Sequence, residues 1–186
     1  MSLKITIMKQ LKRLLITATV ISLFTFNQCK KKTEEPQLPP ETTTGAMTFG
    51  CKVNGKIFVP KDGRGQPGLF VQYVNLGNGV GGGWFLNISA DNWVPSTPEG
   101  ITISTDSLLV VDGATYTFKY RKKGFPGAIY FNGYQYNASD NNLGELKIKK
   151  FDSINRIISG TFFFTGSDFL NIQTVNITEG RFDIRY

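Results

Sequence analysis

Apolar and polar residues alternate with a period of two along most of the chain after Met47. This period is typical of half-buried β-strands, whereas an amphipathic helix repeats every 3.6 residues. No segment in this part has a convincing helical period, and turn residues separate the apolar runs at regular intervals. The pattern predicts an all-β domain: a single antiparallel β-sandwich of about nine or ten strands, with an up-and-down β-barrel as the alternative.

The first predicted unit is a hairpin in the stretch TFGCKVNGKIFVP, residues 48–60. Its Asn54-Gly55 pair lies between two strand-like runs, and this dipeptide is favoured in two-residue turns because both positions require a positive φ. The resulting register places Phe49 and Cys51 on the same face as Phe58. A lone cysteine on an apolar strand face is most often buried, so we predict that Cys51 is a core residue.

Eight further apolar runs are predicted strands: 69–76, 84–90, 99–105, 114–121, 128–136, 144–151, 156–165 and 174–186. Between the first two of these runs, Gly77, Gly79 and Gly82 match the dinucleotide-binding spacing G-x-G-x-x-G. That motif binds phosphate only where it opens a helix. Since a strand pattern, WFLNIS, follows these glycines, we interpret them as a hairpin turn.

The last predicted strand changes its apolar phase part of the way along. Apolar residues are odd-numbered at Val175 and Ile177 but even-numbered at Phe182 and Ile184. One extra residue exchanges the two faces of a strand. We therefore predict a bulge or a bend at Glu179-Gly180.

A targeting segment precedes the β-rich part. Lys9, Lys12 and Arg13 form a basic head, and an apolar run of 13 residues follows it, Leu14–Phe26. This run is too short to span a bilayer, which needs roughly 20 apolar residues. It has the length of a signal-peptide core.

Cys29 follows the apolar run, and the whole segment resembles the leader of a bacterial lipoprotein, in which such a cysteine is lipidated and becomes the first residue of the mature chain. We predict a lipoprotein signal peptide over 1–28 and a lipidated Cys29 that anchors the chain to a membrane. The alternative is an ordinary secretory signal, which would leave Cys29 free to form a disulfide with Cys51. The residues that follow are polar and proline-rich, so we predict a flexible tether over 29–45 and a folded domain over 46–186.

The positive charge of the chain comes largely from its leader. The whole sequence has a formal net charge of +7, and Lys4, Lys9, Lys12 and Arg13 lie in the leader, so +7 less four leaves +3. A charge this small gives no reason to predict nucleic-acid binding.

The sequence offers little for catalysis. It contains no histidine, which is the usual base for a serine or cysteine nucleophile and a common zinc ligand. Single carboxylates occur in predicted turns and on polar strand positions, where solvated or capping roles are expected: Asp91, Glu99, Asp106, Asp112, Glu145, Asp168 and Asp183. We predict no enzyme activity, no metal and no cofactor, with a carboxylate-based glycoside hydrolase as the less favoured reading. Calcium at 139–142 or at Ser167-Asp168 is marginal because no calcium-loop spacing is present.

The candidate ligand-binding residues are aromatic and amide side chains. They are Tyr130, Asn132, Tyr134, Tyr136, Trp84 and Trp93. If Ile129 and Phe131 pack inward, the alternation places the tyrosines on the outward face of the strand. Such a row of tyrosines is suited to stacking on sugar rings, and either tryptophan would extend the row. The alternative is that the tyrosines pack inside and only their hydroxyls reach water.

Three stretches resemble the landmarks of a family of uncharacterised Bacteroidota lipoproteins: TFGCKVNGKIFVP, SGTFFFTG at 159–166 and VNITEGRFDIRY at 175–186. The resemblance spans the whole predicted domain, and the leader agrees with it. It implies a β-rich fold and an envelope location, but it implies no activity.

Together these features predict a lipid-anchored protein of the outer membrane that acts as a non-catalytic binding or interaction module. The expected partners are the membrane, through the lipid, and a glycan or an envelope protein. The alternative is a structural or assembly partner in the periplasm. The sequence leaves open whether the domain faces the periplasm or the cell surface.

Overall fold

The computed structural model describes residues 36–138 and 143–186 of the 186-residue chain. These residues contain no helix and form eleven strands: β1 Thr48–Val53, β2 Lys56–Phe58, β3 Leu69–Asn75, β4 Trp84–Asn92, β5 Glu99–Thr105, β6 Thr115–Thr117, β7 Pro126–Phe131, β8 Gln135–Ala138, β9 Gly144–Asp152, β10 Ile157–Ser167 and β11 Thr174–Arg185. The predicted all-β fold is confirmed.

All strand pairs are antiparallel, and they form one curled sheet. Its main path runs β2-β1-β11-β10-β8-β7-β5-β4-β3. The sheet divides at β10, because residues 157–164 of this strand pair with β9 while Gly166 and Ser167 pair with β8. The short β6 pairs with β9. The arrangement is consistent with a sandwich or a barrel-like fold.

One hydrophobic core fills the inside of the curled sheet, and strands from β1 to β11 contribute alternate side chains to it. The Asn54-Gly55 turn has the predicted positive φ at both residues. Cys51 pairs with Phe58 across the hairpin, and both side chains are buried with Phe49. Burying a large apolar side chain contributes about 1.5–3 kcal/mol, so this core is the main source of stability.

The predicted bulge in the last strand is confirmed. β1 pairs with β11 at Gly50 and Arg181, but the register has shifted by the next pair, Lys52 with Thr178. Glu179 lies between these pairs with a φ of 52°. Buried side chains are therefore odd-numbered before the bulge and include even-numbered Phe182 and Ile184 after it.

Two predicted strands are wrong in extent. Residues 128–136 do not form one strand but belong to the hairpin of β7 and β8, which turns at 132–134 with Gly133 at a φ of 94°. The predicted strand 114–121 is reduced to the three residues of β6. The chain leaves the sheet after Phe118 and enters a loop in which Arg121 has a positive φ.

Residues 36–46 form a strap against the domain, so the prediction of a flexible tether is wrong for the part from 36 to 45. The carboxylate of Asp183 on β11 accepts hydrogen bonds from Thr42 Oγ1 at 2.6 Å, from Thr44 N at 2.8 Å and from Gly45 N at 2.7 Å. Asp183 alternates with the core residues Phe182 and Ile184, so the strap covers the outward face of the sheet.

Glycine at position 50 lets the strap approach β1 closely. A Cβ atom at this position would lie 2.6 Å from Pro39 Cδ. Farther along the strap, Glu41 forms an ion pair with Lys149 of β9. The strap is thus held at several points, and residues 36–186 form one compact unit.

Candidate functional site

The predicted outward row of tyrosines does not form. Tyr130 and Tyr136 are only 4% and 7% exposed, whereas Phe131 is 46% exposed, so the strand faces are the reverse of those that the row requires. The two tyrosine rings pack with centroids 6.0 Å apart. Burial, and then the nearby Glu99, raise the pKa of Tyr130 to about 12. The alternative of inward packing is what the structure shows for these two residues.

The other candidate binding residues lie apart from one another. Asn132 and Tyr134 are in the β7–β8 turn, where Tyr134 is 72% exposed. Trp84 begins β4 and stacks on Tyr73 with centroids 4.8 Å apart. Trp93 follows the other end of β4 and donates its indole N–H to Pro67 O at 3.0 Å. A strand of this length separates the tryptophans by about 30 Å, so they cannot extend one platform.

Cys51 has no chemistry to offer at the surface. Its side chain is fully buried and carries a free thiol. The alternative of a disulfide with Cys29 involves a residue outside the described part of the chain and stays a prediction. Burial, and then Glu99, raise the pKa of this thiol to about 12. A thiol in this state is protonated and inert at neutral pH. Cys29 itself lies outside the described residues.

Several carboxylates of the described residues have structural partners. Asp183 holds the strap, Asp152 accepts backbone N–H bonds in the β9–β10 turn, and Asp168 accepts the N–H of Ile172. Within 36–138 and 143–186, no group of three or more histidine, cysteine, aspartate or glutamate side chains is arranged to hold a metal ion. The marginal calcium loop at 139–142 lies outside the described residues.

A cavity of about 410 Å³ lies on the outward face of β5 and β7, beneath the loop of residues 118–125. We call it the β5–β7 pocket. Its floor includes Ser104 and Gly127, which pair across the two strands. Its wall consists of polar, aromatic and cationic side chains from the loop and from the end of β5: Asp106, Lys119, Tyr120, Arg121, Lys122 and Phe125.

Backbone hydrogen bonds fix the loop that covers this pocket. Lys119 N donates to Pro126 O at 2.8 Å, and Phe125 N donates to Lys122 O at 3.2 Å, which closes a tight turn. Gly124 N donates to Asp106 O at 2.7 Å and ties the loop to the end of β5. The wall of the pocket is therefore preformed.

Two cations of the loop lie over aromatic rings. Arg121 Cζ is 5.2 Å from the centroid of the Tyr120 ring, and Lys122 Nζ is 5.0 Å from that of Phe125. These are cation–π distances. The basic and aromatic run KYRKKGF at 119–125 is the sequence signal for this site. Strand alternation alone does not reveal it, because alternation predicts only which side chains face the core.

Comparison of the chain with protein-family models, with curated proteins and with solved structures finds no match. The resemblance to Bacteroidota lipoproteins therefore stays a prediction. No helix in the described part of the chain is both long and apolar enough to cross a membrane.

Proposed function

We propose that this protein is a lipid-anchored envelope protein that binds a saccharide in the β5–β7 pocket without catalysing a reaction. The observation that carries the proposal is the pocket itself, whose volume of about 410 Å³ lies in the range of small-ligand sites. Its preformed wall reduces the entropy that ligand binding would cost.

The lining of the pocket supports a sugar as the ligand. The Tyr120 and Phe125 rings offer apolar faces of the kind that stack on pyranose C–H groups, and Ser104 and Asp106 supply polar groups for hydroxyls. Asp106 is the single carboxylate among the described lining residues, whereas glycoside hydrolysis ordinarily requires a pair. Binding without hydrolysis fits this arrangement better than catalysis.

The pocket can be tested by two substitutions and one control. We expect Phe125→Ala to weaken saccharide binding roughly tenfold, because one stacking ring is lost. We expect Gly127→Leu to abolish binding, since the new side chain occupies the floor. A Cβ atom at position 127 would lie 3.6 Å from its nearest neighbour, Lys119 O, so the site has room for the first carbon of the new side chain.

Tyr134→Ala is the matched control, because Tyr134 is an exposed aromatic residue outside the pocket. A glycan array of bacterial and host saccharides, followed by calorimetry on the hits, measures the affinities. The control should bind like the unaltered protein. Loss of binding in the Tyr134 variant, with Phe125→Ala and Gly127→Leu unaffected, would refute the pocket assignment.

The anchor is tested separately at Cys29. We expect Cys29→Ser to move the protein from the detergent-rich phase to the aqueous phase in detergent phase partitioning. The reason is that a serine cannot take the thioether-linked lipid. Cys51→Ser serves as the control, and this variant should stay in the detergent-rich phase. An unmodified mass for the N-terminal peptide of the mature protein would contradict lipidation.

A further inference from the structure

We infer that the saccharide bound in the β5–β7 pocket is acidic, and that Arg121 and Lys122 hold its carboxylate, sulfate or phosphate group. The inference rests on the proposed function and names the chemical class of its ligand. It is carried by the distribution of charge around the pocket and by the way in which the two cations are placed.

The described lining of the pocket has an excess of positive charge. Arg121 and Lys122 contribute two positive charges, and Asp106 contributes one negative charge. The Asp106 carboxylate accepts a hydrogen bond from the hydroxyl of Ser107, next to it in the chain. A neutral sugar gains nothing from this excess of positive charge, whereas an anion is attracted to it.

Arg121 and Lys122 keep their charges available for a ligand. Ion pairs between described residues occur at four places: Lys52 with Glu179, Lys149 with Glu41, Lys150 with Asp152, and Arg181 with Glu179. None of these pairs involves Arg121 or Lys122, which instead lie over the Tyr120 and Phe125 rings.

The rings and the tight turn limit the movement of the two cations. A guanidinium group presents parallel N–H donors that match the two oxygens of a carboxylate, sulfate or phosphate. Because both side chains already lie over rings at the pocket wall, part of the entropy that anion binding would cost has been lost before the ligand arrives. The pocket thus places an anion-binding corner beside the aromatic faces proposed for the sugar ring.

The inference is tested by titrating the full-length protein in detergent with sugars that differ only in charge. Glucose is the neutral probe; glucuronic acid, glucose 6-sulfate and glucose 6-phosphate are the acidic probes, and inorganic phosphate tests the anion alone. We expect at least one acidic sugar to bind roughly tenfold more tightly than glucose. This difference should shrink as the salt concentration rises.

Charge-removing variants identify the residues that hold the anion. Arg121→Gln and Lys122→Gln should each reduce the ratio of the affinity for the acidic sugar to the affinity for glucose about tenfold. Lys123→Gln is the matched control, since it removes the same charge from the neighbouring exposed residue, which does not line the pocket. Circular dichroism and thermal unfolding verify that each variant is folded.

The outcomes separate the inference from the proposed function. Equal affinity for glucose and the acidic sugars would overturn the inference but leave saccharide binding intact. An equal loss of preference in the Lys123 variant would also overturn it, because the effect would then be a general one of charge. Inorganic phosphate binding as tightly as the best acidic sugar would overturn the saccharide class. If no saccharide on the array or in the titrations binds, the proposed function itself fails.

Discussion

Replacing Asp183 with asparagine is expected to release the strap and to lower the free energy of unfolding by about 3 kcal/mol. The carboxylate is only 1% exposed and accepts hydrogen bonds from Thr42, Thr44 and Gly45. Asparagine has one acceptor oxygen instead of two, and its NH₂ group would face N–H donors that it cannot bond. Urea unfolding measures the loss of stability, and limited proteolysis of residues 36–46 measures release of the strap.

Asp112→Asn is the control for this change. Asp112 is exposed and accepts a single backbone hydrogen bond, from Phe151 N at 2.7 Å. We expect it to leave both the unfolding midpoint and the proteolysis of the strap nearly unchanged. If the two variants behave alike, Asp183 does not hold the strap.

The contribution of Asp183 should depend on pH in a defined direction. Burial raises the pKa of this carboxyl, but the hydrogen bonds from Thr42, Thr44, Gly45 and Ala46 outweigh burial, and the net shift is downward. A group whose pKa is lower in the folded state stabilises the fold above its pKa in the unfolded chain, about 3.9. The stability difference between the unaltered protein and Asp183→Asn should be constant from about pH 5 to pH 8 and shrink below about pH 4. A difference that grows on acidification would contradict this assignment.

Gly160→Ala is expected to have the other large effect, a loss of about 3 kcal/mol or more in the free energy of unfolding. Gly160 lies in the middle of β10, where a Cβ atom would overlap the carbonyl oxygen of Lys147 and lie 2.8 Å from the Phe182 ring. The backbone of β9 and the core ring would both have to move. Thermal and urea unfolding measure the change.

Gly127→Ala provides the matched control, since Gly127 is also a strand glycine without a positive φ. Its nearest neighbours would be 3.6 and 3.9 Å from a new Cβ atom, which is ordinary van der Waals contact. Alanine also reduces the entropy of the unfolded chain, so stability should stay the same or rise by under about 1 kcal/mol. Equal losses in both variants would show that the close packing around Gly160 is not the cause.

Local signals explain what could be predicted from the sequence. The turn at Asn54-Gly55 follows from the φ values that those two residues tolerate, and the bulge at Glu179 follows from a change of phase within one strand. The hairpin of β7 and β8 carries a similar turn signal, Asn132-Gly133, but the pattern of apolar residues does not change at this turn. Tyr130 pairs directly with Tyr136, so the alternation continues through the turn as if the strand were unbroken.

Non-local contacts explain what could not be predicted. The strap has the composition of a disordered segment, and it is ordered by a carboxylate 139 residues away from Thr44 in sequence. The β5–β7 pocket likewise requires the loop 118–125 to lie beside the end of β5. Alternation gives the two faces of a strand, but it does not say which face is covered or by what.

The position of β1 in the sheet has a consequence for the order of events during synthesis. β1 lies between β2 and β11, so one side of the first long strand has no partner until the last twelve-residue strand has been made. Contacts between such distant segments form late, because a loop of more than one hundred residues must first be closed. A ribosome therefore releases nearly the whole chain before the sheet can be completed. Until then the sheet lacks the pairing of β1 with β11, and an incompletely folded chain is what passage through a membrane channel, as in the proposed export, requires.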